Sequence, residues 1–161
     1  MEIVILLLLF VVNGLFSMSE MAVVSARKAR LQHLANEGNH RAATALALAR
    51  EPSNFLSTIQ VGITFVGIFS GAFGEATLSR GLAQTFAASP ALAPYSDALA
   101  LTIVVLAIAY FSLIIGELVP KRLALQNPEL IASLTAAPMR LLSKIAHPVV
   151  SLLSASTDLV L

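Results

Sequence analysis

The sequence predicts an all-α membrane protein: three transmembrane helices with a belt of amphipathic juxtamembrane helices on the cytoplasmic side. Three observations lead there. Of the 161 residues, 57% are hydrophobic and only 12% are charged, with a mean hydropathy of +0.85, too little charge to cover the surface of a soluble domain. Three stretches each hold roughly 20 mostly apolar residues, the length that crosses a ~30 Å hydrocarbon core as a helix. The basic residues gather on one side of those stretches. The whole chain, 1–161, reads as a single transmembrane domain.

The first span covers about 3–26. Its opening, "MEIVILLLLFVVNGLF", carries Glu2 where a signal peptide has basic residues, and no small-x-small cleavage site follows, so it predicts a retained helix. The connection over about 27–50 is two helix formers, "RKARLQHLANEG" and "HRAATALALAR", with a turn at Gly38 and Asn39. Leu31, Leu34 and Ala35 share one face there, while Arg27, Lys28 and Arg30 lie elsewhere, a pattern suited to a helix resting on anionic headgroups.

The second span covers about 54–79 and the third about 98–119. The link between them, "AASPALAPYSD", has no basic residue. Arg27, Lys28, Arg30, Arg41 and Arg50 follow span one, and Lys121, Arg122, Arg140 and Lys144 follow span three. The positive-inside rule therefore predicts a multi-pass protein of the cell (inner or plasma) membrane, N-terminus outside and C-terminus cytoplasmic. After Pro128, about 129–157 reads as short amphipathic helices broken at Pro138 and Pro148. Those prolines, with Arg140, Lys144 and His147, argue against a fourth span.

With no cysteine, disulfides and thiolate metal centres are excluded, and a net charge of +1 without a dense basic run points to no nucleic-acid partner. What remains is a polar cluster in each span. Asn13, Ser17 and Glu20 follow i, i+4, i+7 spacing on one face of the first. Ser70 stands among Gly67, Gly71 and Gly74 in the second, and Gly67 with Gly71 forms a G-x-x-x-G pair suited to close helix approach. The third holds Ser112, Gly116, Glu117 and Pro120. Proline has no N–H, so the carbonyl of Gly116 loses its helical partner and must be buried in protein or turned to a cavity or an ion. A carboxylate beside it and hydroxyls from the other spans amount to an all-oxygen site for a hard cation such as Mg2+.

Other readings of the same residues stand beside this one. Serine and glycine also serve helix packing; Glu20 is in reach of Arg27 or Lys28; and Glu117 precedes Lys121 by the four residues of a helical ion pair. Glu75 reads as a solvated helix end or a partner of Arg80, and the three histidines as interfacial side chains. Ser112 and Lys121, nine residues or ~13 Å of rise apart, do not make a catalytic dyad, and no enzyme is predicted.

Three segments together, "NGLFSMSEMAVVSARKARLQHLA", "PSNFLSTIQVGITFVGIFSGAFGEA" and "YFSLIIGELVPKRLALQNPE", closely resemble the transmembrane domain of the CNNM/CorC magnesium-transporter family. The resemblance implies a homodimer that exports Mg2+, with Na+ entry as the coupling process. It also implies an ion site drawn from Ser17, Ser19, Ser70, Gly116 and Glu117, with Asn13, Glu20, Pro120 and Lys121 in support. Met18 replaces a small residue found in many relatives, a local change in packing. Relatives continue into cytosolic nucleotide-binding modules; this sequence reads as the transmembrane fragment, so nucleotides would act only through regions outside it. A membrane-embedded Mg2+ sensor that regulates another transporter, or a channel, would need a site as well.

Overall fold

In lipid, every backbone N–H and C=O must find a partner within the protein, and a helix provides those partners within one segment. The computed structural model describes residues 1–160, with the side chains of all but Ser154 and 158–160, and among them helix is the only regular structure. α1 is Glu2–Ser25, α2 Lys28–Asn36 and α3 His40–Arg50. α4, Ser53–Gly74, runs through a π-helical turn at Glu75–Ser79 into α5, Arg80–Ala87. After a short 3-10 turn at Ala93–Tyr95 comes α6, Ser96–Leu113, then a second π turn at Ile114–Leu118 and α7, Val119–Gln126. α8 is Pro128–Val160. Three continuous stretches, Glu2–Ser25, Ser53–Ala87 and Ala93–Gln126, are long and apolar enough to cross a membrane.

Two apolar layers hold these helices together. At the end that carries the belt, α1 contributes Ala22 and Val23, α4 contributes Phe55 and Ile59, and Leu31 of α2 is fully buried. α3 turns Ala42, Ala45 and Ala49 inward and α8 turns Ala132 and Ala136 inward, so both helices lie close with little side chain between them. Gly38, at φ +89°, makes the turn that folds α3 back along α2, and the side chain of Asn39 caps α3 by accepting the N–H groups of Arg41 and Ala42, both at 3.1 Å. The far layer is smaller: Leu6 and Phe10 of α1 against Val104 and Ile108 of α6.

Buried Glu129, in the first turn of α8, ties the belt to the first span. Its carboxylate accepts the backbone N–H of Arg27 at 3.3 Å and lies 3.8 Å from the Arg30 guanidinium. The position also suits the positive end of the helix dipole.

The structure refines the sequence reading at four points. The helix that contains the second span continues past residue 79 to Ala87, because no proline occurs before "AASPALAP" and Ala83 is buried within α5. Glu75 and Arg80 thus lie on one continuous helix, and among the described residues neither is in an ion pair. α8 is a single helix and is not broken at Pro138 or Pro148. Both prolines are exposed, and the carbonyls they deprive of partners belong to the exposed residues Leu134 and Lys144, on the outer side of the helix and away from its packed face. Finally, among the described residues a Cβ on Gly67 or Gly71 would meet nothing within 4 Å, so the G-x-x-x-G pair makes no close approach to another helix of the same chain. The close approaches are at Gly14, Gly62, Gly74 and Gly116.

A side chain at Gly74 would run into Ile108, whereas Gly81 faces open space inside α5. Gly74→Val is therefore expected to lower the thermal unfolding midpoint of detergent-purified protein by the equivalent of ~1–3 kcal/mol. Gly81→Ala is expected to hold or raise it, by up to ~1 kcal/mol.

Candidate functional site

The site begins with a missing hydrogen bond. Pro120 cannot donate to the Gly116 carbonyl, and the backbone widens into the π turn just before it, where Val119 N–H reaches back to the Ile114 carbonyl. The side chain of Asn13 fills the gap: its Nδ2 donates to the Gly116 carbonyl at 3.2 Å, in a buried contact between α1 and the π turn. Two glycines permit that approach. A Cβ on Gly14 would stand 2.9 Å from both the Ile115 carbonyl oxygen and the Pro120 ring, and one on Gly116 would stand 2.9 Å from Asn13 Nδ2. The freed carbonyl is thus buried in protein and, with a second lone pair, keeps accepting capacity.

Three buried oxygens, two on α1 and one on α4, have no hydrogen-bond partner among the described residues: Asn13 Oδ1, Ser17 Oγ and Ser70 Oγ. Their residues are 5%, 0% and 1% exposed. Along each helix they fall between the two apolar layers. On α1, Asn13 and Ser17 follow Phe10 and precede Ala22; on α4, Ser70 lies between Ile59 and Phe73; on the third span, Gly116 lies between Ile108 and Ala124. A buried polar group without a partner costs about 1–3 kcal/mol, so each of the three is a candidate for holding something polar. The donor set is neutral, hard oxygen, which fits a hard cation.

Ser19 is separated from this group. It lies two residues, roughly 200° of helical rotation, from Ser17. It is fully buried, and its hydroxyl donates to the Leu15 carbonyl at 2.6 Å.

Charge enters at the edge of the layer. Lys121 Nζ lies 2.7 Å from Glu117 Oε1 and 3.8 Å from Glu20 Oε2, with side chains 27%, 37% and 26% exposed respectively. The helical ion pair open in the sequence is therefore formed. Glu20 finds Lys121 on another span instead of Arg27 or Lys28. Among the described residues no three of His, Cys, Asp and Glu gather in a way that would hold a metal, so an ion here would rely mainly on neutral oxygens. His147 lies apart, lining a polar cavity with Asn54, Thr58, Ser143 and Ser151 where α4 meets α8.

The sequence reading gave Asn13 a supporting place and passed over Gly14. In the structure Asn13 both holds the carbonyl and presents an unpartnered oxygen. Its shared face with Ser17 and Glu20 was the available signal; a lone glycine in a span carries almost none.

Comparison with known proteins adds the family context. The description "Cyclin M transmembrane N-terminal domain" (CNNM) matches residues 3–161. A Synechocystis protein, "UPF0053 protein sll0260", is 50% identical over all of this chain and 36% of its own length. "UPF0053 protein YhdT" of Bacillus subtilis is 32% identical over 94% of the chain and 33% of its own length. A Haemophilus influenzae protein named "Polyamine export protein" is 32% identical over 74% of the chain and 28% of its own length. The chain thus spans about a third of the length of these relatives.

Removing an unpartnered hydroxyl relieves its burial cost, so Ser17→Ala and Ser70→Ala should each raise metal-free thermal stability, by ~1 kcal/mol. Asn13→Ala should lower it by about 1–3 kcal/mol, because the Gly116 carbonyl is then left without a donor. Melting curves recorded in chelator check both signs.

Proposed function

The chain belongs to the CNNM family, and on that premise we propose that it is the membrane-embedded part of a Mg2+ transporter that exports the ion, with Na+ entry as the driving process. A transport role accords with a helical bundle whose polar groups meet inside an apolar body better than catalysis does. The observation that carries the reading is the layer of unpartnered oxygens, Asn13 Oδ1, Ser17 Oγ and Ser70 Oγ, beside the Gly116 carbonyl.

In this mechanism Asn13, Ser17, Ser70 and the Gly116 carbonyl supply neutral ligands and Glu117 supplies charge. Ser19 is a weaker candidate, since its hydroxyl is already engaged on its own helix. Few ligands of modest charge leave Mg2+ several of its waters, which keeps binding weak enough for release. Glu20 and Lys121 balance charge at the edge, and Pro120 keeps the carbonyl free.

We propose further that the protein is a homodimer in the cell membrane, N-terminus outside, with the basic belt on anionic cytoplasmic headgroups. Only 11% of the most apolar window of the third span is buried within the chain, leaving much surface for lipid and a second copy. A second reading, export of an organic cation, is favoured by two observations: the name of the Haemophilus relative, and the primary ammonium of Lys121 resting on two carboxylates.

Thermal titration of purified protein separates the two. Mg2+ is expected to raise the midpoint, by the equivalent of ~2.7 kcal/mol at a hundred times its Kd, and Glu117→Gln to lose most of that gain. Spermidine is expected to give none. Stabilisation by spermidine alone would favour the organic cation, and equal Mg2+ stabilisation of wild type and Glu117→Gln would remove Glu117 from the site. Mg2+ efflux from proteoliposomes, faster with an inward Na+ gradient, checks the transport step.

A further inference from the structure

The two carboxylates nearest the polar layer already have a cation. Lys121 Nζ makes a 2.7 Å hydrogen bond to Glu117 and stands 3.8 Å from Glu20, bridging the first and third spans, with little more than a quarter of the lysine side chain exposed. Any ion that takes charge from Glu117 must therefore compete with an ammonium that cannot diffuse away. This bears on which ions succeed.

We propose that Lys121 is a specificity residue: a tethered ammonium that yields the Glu20–Glu117 pair to a divalent cation but not to a monovalent one. The inference rests on the ion-transport reading above. Exchange of the ammonium for a monovalent ion leaves the charge facing the two carboxylates unchanged. It also gives up a charge-assisted hydrogen bond, so the exchange has no electrostatic return. Exchange for a divalent ion doubles the charge facing those carboxylates. It also recruits the unpartnered oxygens of Asn13, Ser17 and Ser70, which the lysine does not satisfy. The lysine stem remains tethered nearby, so the ammonium returns when the cargo leaves and the acids are not left bare in a low-dielectric setting.

Removal of the lysine distinguishes this role from that of a purely structural salt bridge. A structural bridge would lower stability when removed and leave ion preference alone. A competitor, once removed, frees a pair of like charges for any cation, so divalent affinity rises and discrimination against monovalent ions falls.

The test is thermal titration of the detergent-purified chain with MgCl2 at constant ionic strength, set once with KCl and once with choline chloride. For wild type, half-saturation is expected at the same Mg2+ concentration in both salts. For Lys121→Met it is expected at about tenfold lower Mg2+ in choline, as loss of one nearby positive charge implies, and to move back up in KCl. Lys121→Gln carries the same expectation should the methionine variant not be recovered folded. Lys121→Arg, which keeps the charge, should bind Mg2+ no more tightly than wild type. Variants that bind Mg2+ no tighter than wild type in choline, or show no K+ sensitivity, would overturn the inference while leaving the ion site standing. Absence of any Mg2+ response in wild type would instead remove the transport reading beneath it.

Discussion

One backbone carbonyl organises the centre of this protein. Gly116 loses its helical partner to Pro120, and an unpaired carbonyl at membrane depth is costly because lipid offers no donor. The Asn13 amide satisfies it across the helix interface, and this requires the two backbones to come closer than ordinary side chains allow. Gly14 on one side and Gly116 on the other make that possible. The π turn at Ile114–Leu118 accommodates the same defect from within the third span. The crossing of α1 and the third span is therefore specified by hydrogen bonding and close backbone contact. Side-chain hydrophobicity contributes little here, as expected where lipid is as apolar as the helix surface.

That crossing divides the interior. On the belt side lies a broad cluster of alanines, Leu31, Phe55 and Ile59; on the far side lies a small one built on Leu6, Phe10, Val104 and Ile108. Among the described residues, Ser17, Ser70 and the oxygen of Asn13 are buried without partners. A sequence selected only for stability would replace both serines with alanine. Keeping them costs stability, which accords with the ion site proposed above. The ammonium of Lys121 then closes the charge account at the rim, so that neither Glu20 nor Glu117 faces the layer alone.

The belt is fastened to the spans. α8 packs on α1, α3 and α4, and Glu129 fastens its first turn to the junction of α1 and α2. Its exposed side, with Leu130, Leu134, Leu141, Ile145 and Leu152, is apolar and interrupted by Arg140 and Lys144. A long amphipathic helix of this kind ties α1, α3 and α4 together along one side of the protein and leaves an apolar face with basic residues on the other.

Much of this was legible in the sequence, for a physical reason: run length, charge and proline act locally. Twenty apolar residues must span, "GN" must turn, and a proline must free the carbonyl four residues back wherever the helix is placed. By itself the chain thus determined three membrane-crossing helices, the hairpin of α2 and α3, the amphipathic character of α8, and polar residues at Asn13, Ser17, Ser70 and Glu117. The tertiary structure decided what depends on neighbours. It alone shows that Pro138 and Pro148 leave α8 intact, because their freed carbonyls lie on its exposed side. It placed close contacts at Gly14, Gly74 and Gly116 and, among the described residues, none at Gly67 and Gly71, because a glycine acquires meaning only from the helix that meets it. It gave Glu20 to Lys121, turned Ser19 onto its own helix and brought Asn13 to Gly116, since hydrogen bonds across a hundred residues depend on how the spans cross, which no local pattern encodes.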